Sequence, residues 1–425
     1  MLTKAVSVFA IIASVATMVS AEISFDTPNK TTLQQEIAGL ELSVPVAAPV
    51  EERAHSPKDV KEWTIMVFVN GKNNLEPFAL KDMNEMEMVG SSDKVNIVAE
   101  TGRIAGYDSS DGDWKSTRRF LITKDKDPKK VTSPVVAEMG KVDMGDYKNV
   151  IDFVNWSKAT YPAKKYMLII RNHGSGWDKS VRSAMDRGIS YDDETNHHIT
   201  TPQMGLILKG VGGVDVYGSD ACLMQMPEVV YEIKDFVPYV VGSEETEPGD
   251  GYTYNDLLAP LVAKPAMTAE ELGKVAVDAY ANHYEKQGEG YTQSLIKTAA
   301  LSQFLTVTND FAAALMAAGE KEMVKTAITG AQAYAVPDNH DMVHFAELVG
   351  AATKSADVKA KAAAFKAYIT GTLVTHNRAL ANGYKNSNGI AAYMPKYSFN
   401  ASYNELAWAK ASQWDEFIKW YQAKK

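Results

Sequence analysis

One cysteine, Cys222, stands among 425 residues. It has no partner for an internal disulfide and cannot build a cysteine-rich zinc site. It is therefore either a small buried hydrophobe or a group that does chemistry. Basic charge is also scarce: 44 Lys and Arg against 53 Asp and Glu leave a formal net charge of −9. General nucleic-acid binding needs a basic footprint facing phosphates, so that class is excluded. With Gly 28 and Pro 16 the chain is not collagen-like or low-complexity. A hydrophobic share of 45% is too high for a disordered chain.

Long apolar runs are missing too, except at the start. Residues 1–21 read MLTKAVSVFAIIASVATMVSA. Lys4 precedes an apolar run over residues 5–19, and small residues follow it. This pattern predicts a secretory signal peptide. The run is short for a membrane span, which takes ~20 apolar residues, so an anchored helix is the weaker alternative. Residues 22–62 carry Thr-Pro-Asn, Val-Pro-Val and Ala-Pro-Val interruptions and Glu51-Glu52-Arg53, the texture of a spacer or propeptide. The expectation is a secreted or periplasmic protein with no membrane span in the mature chain. Oxidising compartments pair cysteines, which leaves an unpaired Cys222 as an intermolecular bridge, a buried thiol or a reactive one.

From Trp63 the pattern changes. Short apolar runs at residues 63–69, 95–99, 119–123, 166–170, 214–217 and 239–241 suit strands buried on both faces. Helical patterns over residues 80–89, 149–159, 201–209 and 227–234 lie between them. The alternation predicts an α/β fold with a mostly parallel central sheet covered on both sides. After residue 260 the texture is helical, over residues 269–284, 302–318, 321–335, 343–353 and 357–373. Two strand-like pieces, residues 294–298 and 390–393, are free to return to the main sheet. The expected division is a catalytic core over residues 63–260 and a helical C-terminal region over residues 261–425.

In an open parallel sheet, ligands gather beyond the carboxyl ends of the strands. One predicted strand runs into Arg171-Asn172-His173-Gly174, and another into Gly218-Ser219-Asp220-Ala221-Cys222. Consecutive parallel strands would bring His173 and Cys222 to one rim. A thiol attacks as the thiolate, and an imidazole can act as its base. The predicted helix after Cys222 would favour a thiolate through its N-terminus. The N–H groups of Gly174 and Cys222 are candidates to hold an oxyanion. A buried Asp would select a guanidinium through paired, charge-assisted bonds.

These pieces resemble the clostripain family of cysteine peptidases, in the caspase–gingipain–legumain clan. The matching segments are residues 63–71 with Asn73-Asn74-Leu75-Glu76, then Asn172-His173-Gly174-Ser175-Gly176-Trp177. Asp220-Ala221-Cys222-Leu223-Met224 with Glu228 follows, then Ser243-Glu244-Glu245 with Pro248-Gly249 and Gly251-Tyr252, and finally residues 388–395. The resemblance implies a caspase-like α/β/α sandwich with His173 as general base and Cys222 as nucleophile. It implies cleavage of peptides or proteins after Arg or Lys, with Asp220 lining the pocket for that residue. Asp250 or Glu247 would be a second acid there. It also implies self-cleavage between the His and Cys motifs, where Lys179, Arg182 and Arg187 lie; Arg187 is the best placed. Arg53 or Lys58 would release the spacer. No cofactor is required, and calcium is an optional addition; Asp108, Asp111 and Asp113, or Asp192, Asp193 and Glu194, are acidic enough for it but lack the spacing of a calcium loop.

Two other readings compete. His340 and His344 stand at i, i+4 near an expected helix start, the spacing of a zinc peptidase, though Asp341 replaces the usual Glu. A non-catalytic surface or adhesion protein on a peptidase-like fold is the second. Gly174-Ser175-Gly176 is not a serine elbow, because His173 occupies the position where that motif needs Gly.

Overall fold

The computed structural model describes residues 60–177 and 188–423. The expected leader and most of the spacer, with Arg53 and Lys58, lie outside the described residues, as do Lys179, Arg182 and Arg187.

Five strands form a parallel centre. They are β1 (Lys61–Gly71), β2 (Val95–Arg103), β5 (Ala163–Arg171), β8 (Val216–Asp220) and β9 (Tyr239–Gly242). Antiparallel strands extend it at both sides: β3 (Thr117–Leu121) and β4 (Val135–Gly140) beyond β2, and β10 (Thr292–Lys297) and β12 (Val374–Ala379) beyond β9. The nine strands run in the order β12-β10-β9-β8-β5-β1-β2-β3-β4. Two small sheets, β6 (Ile189–Asp192) with β7 (His197–Ile199) and β11 (Asn339–Asp341) with β13 (Ala391–Tyr393), stand apart from it.

The pleat divides the apolar residues between two layers. On β1, Ile65, Val67 and Val69 face one cluster, while Met66 and Phe68 face the other. The first cluster is covered by α1 (Glu76–Glu87), α5 (Tyr254–Ala263) and α6 (Ala269–Gln287). A Thr268/Glu271 capping box opens α6 and left-handed Gly288 closes it, a start and stop written in the sequence. The second cluster is covered by α2 (Tyr147–Thr160), α3 (Thr201–Gly210) and α4 (Pro227–Ile233). The same cluster continues without a break into α7 (Leu301–Ala318), α8 (Lys321–Gly330), α9 (Met342–Ala352), α10 (Ala356–Tyr368) and α11 (Trp414–Gln422). The late helices therefore share one core with the sheet.

Three expectations for the late chain need correction. Residues 390–393 do not return to the main sheet, because β13 pairs with β11. The edge strand is instead β12, which begins directly after the helix expected over residues 357–373. There the helix gives way to a π-turn over Ile369–Leu373. Thr370, Thr372, Val374 and Thr375 are β-branched and favour extended backbone. His340 lies on β11 rather than on a helix, and α9 starts only at Met342, with Asp341 as its N-cap accepting from His344 N at 2.6 Å. The two histidines therefore do not share a helical face. His344 Nδ1 accepts instead from Gln332 N at 2.8 Å.

Aromatic packing joins the C-terminal region to the loop that leaves β5. Trp177, 1% exposed, meets Tyr393 and Tyr403 edge-on at ring-centre distances of 4.5 and 4.7 Å. Tyr403 Oη and Tyr393 N both donate to Glu228 on α4, at 2.7 and 3.0 Å. The late chain thus braces that loop against α4. Trp177→Ala is expected to lower unfolding free energy by roughly 3–5 kcal/mol, read from denaturant melts; a change below ~1 kcal/mol would remove Trp177 from that role.

Candidate active site

β5 and β8 pair in parallel with Arg171 opposite Asp220. His173 and Cys222 each follow their strand by two residues, so both reach the same rim. They line one pocket of about 270 Å³, together with Asn74, Arg171, Asp220 and Glu247.

The His173 ring is held by Asn74, whose Oδ1 lies 2.7 Å from Nε2. With Nε2 donating to that amide oxygen, Nδ1 carries the free lone pair. Burial, reinforced by the positive charge of Arg171, lowers the pKa of His173 from its usual range. The imidazole is neutral near pH 7, the form a base needs. Asn74 belongs to the loop after β1, whose turn is fixed by Asn73: its Oδ1 accepts from Leu75 N at 2.9 Å, and its Nδ2 donates to Tyr191 O at 2.8 Å.

Cys222 is half-buried and unpaired. Burial pushes its thiol up to about 11, and the N–H groups of Glu247, Gly174 and Cys222 itself pull in the opposite direction. Glu247 N donates to Sγ at 3.2 Å. The amides of Gly174 and Cys222 therefore converge on the sulfur, as a site for developing negative charge requires. A Cβ at position 174 would stand 2.5 Å from Cys222 O, so glycine alone permits this approach. Leu223, buried next to the thiol, has φ 64°, a costly left-handed conformation for a leucine. Its N–H donates to Glu245 O at 3.0 Å, which fixes the turn. The following helix, α4, starts at Pro227 as expected, five residues beyond Cys222, and the amides around the sulfur itself come from loops.

Asp220 is 2% exposed at the floor of the pocket. Its Oδ1 accepts from Tyr252 N at 3.0 Å and its Oδ2 from Tyr254 Oη at 2.7 Å. Gly251, at φ 61°, passes so close that a Cβ there would lie 2.4 Å from Asp220 Oδ1. Of the two further acids considered, Glu247 lines the pocket and Asp250 does not; the Asp250 carboxylate pairs with Lys81 at 2.6 Å. Arg171, which also lines the pocket, is bonded to Asp82 at 2.6 Å. Asn74, Arg171, Asp82 and Leu223 carried no assigned role in the sequence. Asn74 and Leu223 stood in segments that signalled one.

Among the described residues, no three His, Cys, Asp or Glu side chains converge as metal ligands. The acidic runs are engaged elsewhere. Asp111 Oδ1 accepts from Val131 N, Asp192 from the amides of Met144, Glu194 and Thr195, and Glu194 bridges Lys72 and Lys141.

The clostripain family model of C11 peptidases matches residues 67–421. The chain belongs to the clostripain family. Clostripain of Hathewaya histolytica is 30% identical over 215 residues, 46% of this chain and 41% of that protein. The match therefore spans less than half the length of that relative. The fold is similar to a secreted C11 cysteine protease of Bacteroides thetaiotaomicron solved with an irreversible peptide inhibitor, with TM-score 0.63, 20% identity, and coverage of 83% of this chain and 99% of that one. It is similar also to an inactive zymogen C11 protease of Parabacteroides distasonis, with TM-score 0.61, 17% identity, and coverage of 84% and 100%.

The buried thiol makes a direct prediction. Alkylation of substrate-free protein by iodoacetamide, readable at the sole cysteine, will be slow at neutral pH and will climb toward a midpoint of about 11. A midpoint at or below ~8.5, the free-thiol value, would show a thiolate already formed at rest.

Proposed function

We propose that this protein is an exported cysteine endopeptidase that cleaves peptide bonds after Arg or Lys. The observation that carries this reading is the convergence of His173, Cys222 and Asp220 on one pocket. Both reacting groups are neutral at rest, so proton transfer accompanies attack. His173 Nδ1 takes the thiol proton as Sγ bonds to the carbonyl carbon. The amides of Gly174 and Cys222 receive the oxyanion. As the carbon–nitrogen bond breaks, His173 returns the proton to the leaving amine, and water then frees the acyl group from sulfur.

Asp220, buried in the pocket, supplies the negative charge for a basic side chain. Self-cleavage at Arg187 accords with the zymogen form described for the Parabacteroides distasonis relative. No step requires a cofactor, and calcium, if bound, acts outside the reacting groups. The substrates are peptides or proteins; among the described residues no helix is long and apolar enough to cross a membrane.

A fluorogenic peptide with Arg before the scissile bond tests the reading. Cys222→Ala is expected to lower kcat/KM by roughly 10⁴-fold or more. Asn74→Ala leaves the ring unheld and is expected to cost roughly tenfold, in kcat rather than KM. Equal turnover by wild type and Cys222→Ala would instead leave a non-catalytic protein on a peptidase fold. Because the His173 pKa is lowered, activity will persist into mildly acid solution before the ring protonates. Arg187→Ala will run as one unbroken chain on a denaturing gel if that bond is the processing site; two fragments from this variant would place processing elsewhere.

A further inference from the structure

Beneath the thiol, carboxylates outnumber cations. Arg171 gives Nε to Asp82 at 2.6 Å and a terminal nitrogen to Gly249 O at 2.8 Å, while Asp220 Oδ2 stays 3.9 Å from that Nε. One cation therefore serves two carboxylates, and burial pushes Asp82 well above the ordinary carboxylate range. Asp220 and Glu247 line the same pocket, and each side chain is the other's hydrogen-bond partner. Two carboxylates have only acceptors, so such a contact requires a proton between them. Glu247 Oε1 accepts from Gln293 Nε2 at 3.2 Å, and its Oε2 is buried and meets no donor. That buried oxygen belongs to a residue that lines the pocket.

Among the described residues, the surroundings supply no second cation. On α1, Lys81 is held by Asp250 at the rim, and burial pushes Glu85 up to about 7. His173 is neutral near pH 7. Tyr252 and Tyr254 above the pair, Tyr280 and Tyr284 on α6, and Tyr217 on β8 are phenols that burial keeps uncharged. Burial, and then the charge of Asp220, raise Glu247 well above the ordinary carboxylate range.

We propose that Asp220 and Glu247 share one proton in the empty pocket and release it to solvent when a guanidinium or ammonium side chain enters. Glu247 is then a specificity-determining residue, and substrate capture is linked to proton release. A pair of net charge −1 and a cation become two carboxylates around that cation, plus one free proton, with no covalent bond to carbon or sulfur changed. A neutral side chain of the same shape cannot drive the exchange. Glu247 also donates its N–H to Cys222 Sγ, so the residue that changes charge touches the thiol. The inference rests on the proposed preference for Arg or Lys.

Calorimetric titration of Cys222→Ala with an uncleaved Arg peptide, in buffers of different ionisation enthalpy, counts the protons. The expected result is release of about one proton, and none with the citrulline peptide. Affinity for the Arg peptide is expected to rise roughly tenfold per pH unit below the proton loss of the pair, with a flat citrulline profile. Adding Glu247→Gln is expected to abolish the release and flatten the Arg profile. Arg peptide bound without proton release, or with the same release in Glu247→Gln, overturns the proposal while leaving the peptidase reading intact. If Glu247→Gln fails to fold, the Arg and citrulline comparison in Cys222→Ala decides alone. If wild type cleaves no basic peptide and Cys222→Ala binds none, the specificity reading fails and this proposal falls with it.

Discussion

The parallel register between β5 and β8 is the constraint on which the site depends. Arg171 opposite Asp220 fixes a buried cation beside a buried anion at the strand ends. Two residues later the same register delivers His173 and Cys222. A slip of one residue would turn alternate side chains to the opposite face of the sheet. It would also separate Arg171 from Asp220 and leave charges unmatched in the core. The strands hold that register because both faces are apolar: Leu168 and Ile170 enter one cluster, Met167 and Ile169 the other.

Burial sets the chemistry at rest. It raises the thiol, lowers the imidazole and raises the pocket carboxyls. Each shift favours the uncharged form, as desolvation must. The empty site is consequently less charged than its formula suggests, and the amides around Cys222 offer fixed dipoles rather than a counter-charge. Outside the pocket the same logic governs Glu244, which burial raises well above the ordinary carboxylate range beside Asp341. Tyr334 Oη and Gly389 N donate to Glu244 at 2.8 and 3.1 Å. This second acid contact ties the loop after β9 to the late chain through neutral donors.

Much of the fold was legible from period and punctuation. The continuous apolar runs of β1, β5 and β8 read as strands buried on both faces, and the helices between them implied parallel crossover connections. His173 and Cys222 were legible because each directly follows such a run. What the sequence hid depends on distant contacts. Arg171 looked like the end of a strand, yet it meets Asp82 from α1, 89 positions away. Glu247 and Asp250 were equal candidates, and only the path of the loop separated them: Lys81 takes Asp250 to the rim, while Gln293 holds Glu247 inward. Leu223 carried no turn signal, because tertiary contacts rather than local preference impose its left-handed backbone. β12 was hidden because Val374–Ala379 carries almost no apolar run and lies half-buried at the sheet edge.

The segment between residues 177 and 188 has both of its ends secured. Trp177 is locked among aromatic rings, Ser175 N donates to Gly188 O at 3.0 Å, and Ser190 N donates to His173 O at 3.2 Å. Gly174 also bridges Ile189, and β5 and β8 stay zipped within the sheet. Backbone continuity across that segment is therefore not what aligns His173 and Cys222. A break there would produce two polypeptides that cannot drift apart without dismantling the central sheet, joined by topology in place of a peptide bond.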